Sequence, residues 1–218
     1  MSLWSWRTTP AGFVEVNKGN GVFSRLTWDH VIPQLEKTKQ WIPLATEKSQ
    51  KYGVPAHWIL GVITSESGGD PNAHNWCCYG LMAIYLAVHN KTAEEMSDPE
   101  QNVDYGTSLL AGSVAKGLDL PQTASVHNAG GGTSGMPHMS STDPWGMREN
   151  SGYIENVVKS ANWFLEFLGT YEPVQEPIPT SKPLATLALM AAGFGIGYLG
   201  LDAIRELADR QVRRTLKA

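Results

Sequence analysis

The amino-acid sequence predicts an all-α protein, because its apolar residues recur at helical spacing and its helix-end signals fall between the recurring segments. From about Trp41 onwards, apolar residues recur every three or four positions, and no segment shows the sustained alternation typical of a β-strand. Charged residues make up 17% of the 218 residues, and the net charge is -4. Domains that bind nucleic acid normally carry a basic face, so this class of partner is not expected.

Two helices are predicted in the first half of the chain. The first begins near Trp41 and ends at Gly53, a residue well suited to a C-terminal cap. The second has Pro55 in its first turn and extends to Glu66. Glu66 shares a helix face with the apolar residues three, four and seven positions before it, which are Ile63, Val62 and Ile59.

The position of Glu66 at the end of this apolar helix suggests a chemical role. A carboxyl group that projects towards the core side is partly desolvated, and desolvation predicts a raised pKa for Glu66. A carboxylic acid that keeps its proton near neutral pH is the group needed to protonate a glycosidic oxygen.

Three more helices are predicted further along the chain. Asp98 is a plausible N-cap for a helix that has Pro99 in its first turn and extends to about Ala115. A short helix over residues 121–128 leads into a glycine-rich loop of the kind that is usually functional or mobile. A last helix is predicted over residues 152–168.

Residues 1–40 form a separate N-terminal arm in this interpretation. Aromatic residues and glycines alternate irregularly there, and the long apolar stretch of a secretory signal is lacking. Two alternatives stay open: an arm that packs on the domain or on a partner, and an irregular N-terminal cover.

The C-terminal part of the chain predicts a membrane-associated extension after the domain at 41–169. A proline-rich linker (170–183) precedes residues 184–201, which carry no formal charge, and a charged tail (202–218) follows. As a helix the uncharged segment would be about 27 Å long at ~1.5 Å per residue, close to the thickness of a hydrocarbon core. We therefore expect a transmembrane helix at 184–201.

The two cysteines are neighbours in the sequence and do not indicate a disulfide framework. Cys77 and Cys78 cannot connect distant segments, and together with His74 they do not match a known zinc spacing. Ordinary packing is predicted rather than a metal site, and the redox state of the pair stays open.

Several short motifs agree in order and spacing with one enzyme family. They are Glu66 to Ala73, Gly80 to Met82, Asp98 to Gly106, His127 to Gly130, and Tyr153. With these motifs, roughly residues 41 to 168 resemble the lytic transglycosylases of the soluble-transglycosylase type, which have a lysozyme-like fold. Ala83 stands where the family has Gln, and His127 where it has Tyr, which implies changed affinity or specificity rather than lost activity.

The resemblance implies a substrate and roles for individual residues. The substrate is peptidoglycan, cut at the β-1,4 bond between N-acetylmuramic acid and N-acetylglucosamine without a cofactor. Glu66 acts first as acid and then as base on the muramyl C6 hydroxyl, which closes a 1,6-anhydro ring, and Tyr153 orients Glu66. Asp70 is expected to cap backbone amides. The substrate-binding candidates are Ser67, Met82, His127 and Asn128.

The absence of a signal-like stretch, together with the apolar tail, suggests a component of a bacteriophage particle that opens the wall locally. Residues 184–218 would then contact a membrane or other virion proteins, and the enzyme would act in the periplasm or cell envelope; a homo-oligomer is possible. Two alternatives stay open. One is a hydrolase of the goose-type lysozyme kind, in which water replaces the C6 hydroxyl. The other is a degenerate structural or membrane-channel virion protein.

Overall fold

A computed structural model describes residues 4–129, 146–147 and 150–170 of the chain. The chain divides into two compact units, residues 1–172 and 173–218, and the described residues all belong to the first. No helix among these residues is long and apolar enough to cross a membrane. The linker, the transmembrane helix predicted at 184–201 and the tail at 202–218 lie outside the described residues, so they stay predictions, as do the domain boundaries.

The first unit is built mainly from helices, as the sequence predicts. A single 3₁₀ turn, Lys39–Trp41, leads into the second helix. The α-helices are α1 (Pro33–Thr38), α2 (Ile42–Tyr52), α3 (Ala56–Ser67), α4 (Leu86–His89), α5 (Ala93–Ser97), α6 (Pro99–Val114), α7 (Leu120–Ala129) and α8 (Ser151–Thr170).

The helix ends confirm the local signals in the sequence. Gly53 adopts the left-handed conformation with φ of 71° and caps α2. The carboxylate of Asp98 accepts a hydrogen bond from the backbone N–H of Gln101, so Asp98 is the N-cap of α6, with Pro99 in the first turn. These signals act within one helical turn, which explains why they can be interpreted without tertiary contacts.

The all-α prediction is wrong in one respect, because the described residues also contain two small antiparallel sheets. Strands β1 (Ser5–Thr8), β2 (Val14–Asn17) and β3 (Ser24–Arg25) form one sheet in that order. Strands β4 (Cys78–Tyr79) and β5 (Ile84–Tyr85) form a hairpin. Strands of two to four residues are too short to show a period of two, so the sequence pattern does not reveal them.

The N-terminal sheet packs on the helical body rather than forming an irregular cover. Val14 and Val16 of β2 are each only 1% exposed. The side-chain amide of Asn162 in α8 accepts a hydrogen bond from Val14 N (2.9 Å) and donates to the carbonyls of Val14 and Leu26 (both 2.8 Å). One buried amide thus satisfies the backbone of two N-terminal segments.

The core is centred on close packing between α3 and α8. A Cβ atom added to Gly61 would lie 2.8 Å from the carbonyl of Val157 and 3.0 Å from the Cβ of Ala161. The missing side chain at Gly61 therefore lets the two helix backbones approach. Glu66 at the end of α3 meets Tyr153 near the start of α8, so the helices run antiparallel and bring these two residues together.

The turn between β4 and β5 is held by α6. The fully buried side chain of Asn102 accepts a hydrogen bond from Met82 N (2.8 Å) and donates to the carbonyls of Tyr79 (2.8 Å) and Met96 (2.9 Å). Gly80 lies in this turn with φ of 77°. The Gly80 to Met82 motif is thus positioned by backbone hydrogen bonds to one amide.

The stability of the protein is expected to fall in mild acid because of His57, in the first turn of α3. Burial lowers the pKa of His57 to about 4. The unfolded chain has a His pKa near 6.5, so between pH ~6.5 and ~4 it binds a proton that the folded chain does not. The free energy of unfolding should therefore fall by about 2.5 kcal/mol between pH ~7.5 and ~4.5 from this group.

Urea unfolding of the wild-type protein and of His57→Phe at several pH values tests this expectation. The variant should lose that part of the pH dependence, whereas the same substitution at His30, which is exposed, should leave it unchanged. Equal slopes for the wild-type protein and His57→Phe would contradict the assignment.

Candidate active site

Glu66 is presented at the last turn of α3, where two glycines end the helix. Gly68 and Gly69 have φ of 62° and 80°, values that a residue with a side chain adopts only at a cost. The indole N–H of Trp41 donates to the carbonyl of Gly69 (2.9 Å) and anchors this end. The side chain of Glu66 is 16% exposed, so the carboxylate is largely shielded yet open to solvent on one side.

Tyr153 contacts the carboxylate of Glu66 directly. Its phenolic O–H donates to Oε1 of Glu66 over 2.5 Å. Burial first, and then the charge and hydrogen bond of Glu66, raise the pKa of Tyr153 well above its usual value. The phenol therefore stays protonated at physiological pH and remains a donor to one oxygen of Glu66.

His127 lies on another side of the same carboxylate. Its Nε2 is 3.6 Å from Oε1 of Glu66 and 3.2 Å from the carbonyl oxygen of Met82, and its side chain is 6% exposed. Behind it, burial and the nearby His127 lower the pKa of His89. His89 is therefore neutral near pH 7, so it adds no positive charge to this side of the site.

The described residues around Glu66 form a shallow depression with a volume of about 110 Å³. Glu66 is the one carboxylate in its described lining. Ala83, at the position where the resemblance expects Gln, contributes only a methyl group and has φ of 46°. The lining residues are Glu66, Ala73, His74, Asn75, Cys78, Gly80 and Ala83.

The other residues predicted to bind substrate, Met82, Ser67 and Asn128, do not belong to the described lining of the depression. The side chain of Met82 is fully buried, so only its backbone carbonyl faces His127. The hydroxyl of Ser67 donates to the carbonyl of Ile63 (3.1 Å) and accepts from Gly69 N (3.2 Å), so it completes the helix end. Asn128 is exposed, and its amide donates to Oδ1 of Asn150 (2.7 Å).

The predicted capping role of Asp70 is confirmed. Oδ1 of Asp70 accepts a hydrogen bond from the backbone N–H of Asn72 at 2.9 Å, which forms the expected local turn. The side chain of Asp70 is therefore occupied outside the lining of the depression.

Two buried asparagines that support the site are not predicted by the sequence. Asn102 holds the turn that carries Met82, and Asn150 donates to Ser125 O (3.4 Å) and Oγ (3.0 Å) while it accepts from Asn128. The sequence contains only a weak signal for Asn102, which is a poor helix former inside α6. Their roles depend on segments that are distant in the chain.

The adjacent cysteines are bonded to each other, which answers the question that the sequence left open. A disulfide joins Cys77 and Cys78, so the pair is oxidised in this structure. Oδ1 of Asn75 accepts hydrogen bonds from the backbone N–H groups of both cysteines (2.9 Å each), and this turn brings the two sulfurs together. No cluster suited to a metal ion occurs among the residues that the structure describes.

Comparison with known proteins agrees with this arrangement. Residues 43–142 match the family model described as Transglycosylase SLT domain. Residues 43–142 are thus similar to a transglycosylase SLT domain. The matched segment includes Glu66, Met82, His127 and Asn128, whereas Tyr153 and the N-terminal sheet lie outside it. The SLT segment thus supplies the carboxylate, and α8 supplies the hydrogen-bond donor that orients it.

The chain is also similar to curated relatives. The endo-type membrane-bound lytic murein transglycosylase A of Cronobacter sakazakii is 27% identical over 112 residues, which cover 44% of this chain and 55% of the relative. The protein of the same name from Salmonella paratyphi B is 28% identical over 111 residues, covering 44% and 54%. The chain spans about half the length of the curated relatives it matches. Both relatives are named as lytic murein transglycosylases.

Proposed function

We propose that this protein is a peptidoglycan lytic transglycosylase in which Glu66 is both acid and base. One observation carries the proposal: Glu66 is the one carboxylate in the described lining of the depression, is largely shielded and is held by the hydroxyl of Tyr153. A hydrolase that uses two carboxylates places a second acid opposite the first. Among the described residues that line the depression there is no second acid, which suits a reaction that one group can complete.

In the proposed reaction the proton of Glu66 returns to it at the end. Glu66 donates its proton to the oxygen that joins N-acetylmuramic acid to N-acetylglucosamine, and the bond from that oxygen to the anomeric carbon breaks. The muramyl C6 hydroxyl attacks the anomeric carbon, and the Glu66 carboxylate takes the hydroxyl proton. The products are a 1,6-anhydro-muramyl end and a free N-acetylglucosamine hydroxyl, with no water consumed.

The contacts of Glu66 suggest how its two oxygens share this work. Oε1 is occupied by Tyr153 and approached by His127, so Oε2 is the oxygen available to the substrate. In this proposal the carbonyl of Met82 and the exposed amide of Asn128 line the sugar sites. Ser67 stays a substrate-binding candidate from the sequence, and its hydroxyl is bonded within the helix end.

Mass spectrometry of the soluble products from purified peptidoglycan tests the reaction type. Fragments with 1,6-anhydro-muramyl ends are expected from the wild-type protein. Reducing muramyl ends would instead identify the goose-type lysozyme alternative. No products from a folded full-length protein in detergent would favour the structural alternative.

The proposed place of action is the cell envelope, where peptidoglycan lies. The relatives are named as membrane-bound murein enzymes, which is compatible with this location. A role in a bacteriophage particle, contacts through residues 184–218 and a homo-oligomer stay predictions from the sequence. Detection of the protein in purified virions would support the first of them.

Replacing Tyr153 by phenylalanine is expected to lower kcat about tenfold to a hundredfold with little change in KM. The variant loses a hydrogen bond to a charged group, which is worth about 1.5–3 kcal/mol, and leaves Glu66 free to rotate. Tyr52→Phe is a matched control, because the hydroxyl of Tyr52 donates to Asp104 (2.8 Å), a residue outside the lining of the depression. Steady-state kinetics with soluble glycan strands give kcat and KM for both variants. An equal loss of kcat in the two variants would contradict the role of Tyr153 in orienting Glu66.

A further inference from the structure

Trp76 and Tyr85 form an exposed pair of aromatic rings, and Trp76 lies in the chain between Asn75 and Cys78, which line the depression that contains Glu66. Trp76 is 86% exposed, the highest exposure among the large hydrophobic residues that the structure describes, and Tyr85 is 37% exposed. Their ring centroids are 5.8 Å apart at an interplanar angle of 78°, so the edge of one ring supports the other. An exposed cluster of this kind commonly marks a binding site, whereas single exposed residues do not.

The backbone around Trp76 is held more tightly than that of an ordinary exposed loop. The Cys77–Cys78 disulfide follows it directly, and Asn75 before it accepts hydrogen bonds from both cysteine N–H groups. Tyr85 belongs to β5, which pairs with β4 through Cys78. A rigid aromatic surface binds a ligand with a smaller loss of conformational entropy than a flexible one.

The backbone that carries Trp76 adjoins the depression. Asn75 and Cys78, on either side of Trp76 in the chain, both line it together with Glu66. The volume of about 110 Å³ is well below the ~300–1,000 Å³ of typical ligand pockets. A glycan strand that places one bond at Glu66 therefore extends beyond the described lining. Neither Trp76 nor Tyr85 belongs to this lining, but Trp76 follows Asn75 in the chain and Tyr85 pairs with Cys78.

The charge of the hairpin favours a neutral ligand. From Pro71 to Asn90 the sequence contains no Asp, Glu, Lys or Arg. Binding to an anionic membrane surface uses basic residues around the apolar ones, and recognition of peptide carboxylates uses Arg or Lys. The ring of an N-acetylated sugar has apolar C–H faces and no charge, so it fits an exposed indole without a charged neighbour.

We propose that Trp76 and Tyr85 form an aromatic platform that stacks a sugar ring of the glycan strand next to the cleavage site. The choice of ligand rests on the proposed function, but the binding step does not require cleavage. The platform would hold the strand and leave the chemistry to Glu66.

The test measures binding without catalysis. The full-length Glu66→Gln variant is titrated with a hexamer of N-acetylglucosamine by calorimetry, alone and combined with Trp76→Ala or Tyr85→Ala. Trp76→Ala is expected to raise Kd about tenfold and Tyr85→Ala about threefold, since aromatic stacking contributes on the order of 1 kcal/mol. Val22→Ala is the matched control, because Val22 is 62% exposed and lies between β2 and β3.

A second arm examines the rigidity of the platform. The Cys77→Ser/Cys78→Ser double variant removes the disulfide and leaves both rings in place, and it is expected to raise Kd about threefold through lost preorganisation. An unchanged Kd in this variant would contradict the role given to the disulfide.

Several outcomes would overturn the platform. The first is an unchanged Kd for Trp76→Ala. The second is a lower melting temperature of the Trp76→Ala variant, which would show that Trp76 is packed within the protein. The third is binding of the protein to anionic lipid vesicles that Trp76→Ala abolishes while sugar binding persists. A dimer that dissociates in Trp76→Ala with unchanged sugar affinity would do the same. Failure of the proposed function gives a different pattern, since the wild-type protein would then bind the hexamer but release no anhydro-muramyl products from peptidoglycan.

Discussion

Glu66→Gln is expected to reduce glycan cleavage about 10³-fold or more, because it removes the group proposed as both acid and base. Loss of one general acid or base typically costs about 10²–10⁴ in rate, and here both steps lose the same group. The glutamine carbonyl can still accept the hydrogen bond from Tyr153, so the fold should be retained. Release of anhydro-muramyl fragments from purified peptidoglycan, quantified by mass spectrometry, measures the loss.

Glu94→Gln is the matched control for this substitution. Glu94 is an exposed residue in the first turn of α5 and lies outside the lining of the depression. The control should cleave at the wild-type rate, and both variants should unfold at the same denaturant concentration as the wild-type protein. A folded Glu66→Gln variant that retains a tenth or more of the activity would refute the assignment of Glu66.

Gly80→Ala is expected to lower the free energy of unfolding by about 4 kcal/mol, because two separate costs add at this position. Its φ of 77° is costly for alanine, and a Cβ atom would lie 2.3 Å from both the Asn102 amide nitrogen and the Met96 carbonyl oxygen. The left-handed conformation and the steric overlap each cost about 1–3 kcal/mol. Urea denaturation at constant pH measures the change.

Gly117→Ala separates these two costs. Gly117 has the same φ of 77°, but a Cβ atom there would meet nothing within 4 Å. This variant should lose only about 1 kcal/mol, the conformational part alone. Similar losses in the two variants would show that the contacts of Gly80 with Asn102 and Met96 do not constrain the turn.

The sequence by itself determined the parts of the fold that depend on local interactions. Gly53 and Asp98 end and begin helices through hydrogen bonds within one turn, and the helical periods around them reflect one buried face. The same reasoning placed Glu66 at the end of an apolar helix. The resemblance of short motifs then singled out Glu66 and Tyr153, which the structure brings within 2.5 Å of each other.

Tertiary structure alone decided the features that depend on residues far apart in the chain. The amide of Asn162 reaches Val14 across 148 positions, and His127 meets the carbonyl of Met82 across 45. No local pattern encodes such contacts, because they form only when segments that are distant in the chain pack against each other. The aromatic pair belongs to the same class, since the ring of Trp76, which precedes β4, contacts the ring of Tyr85 in β5. The sequence therefore indicated which group we propose for the chemistry, and packing decided what surrounds it.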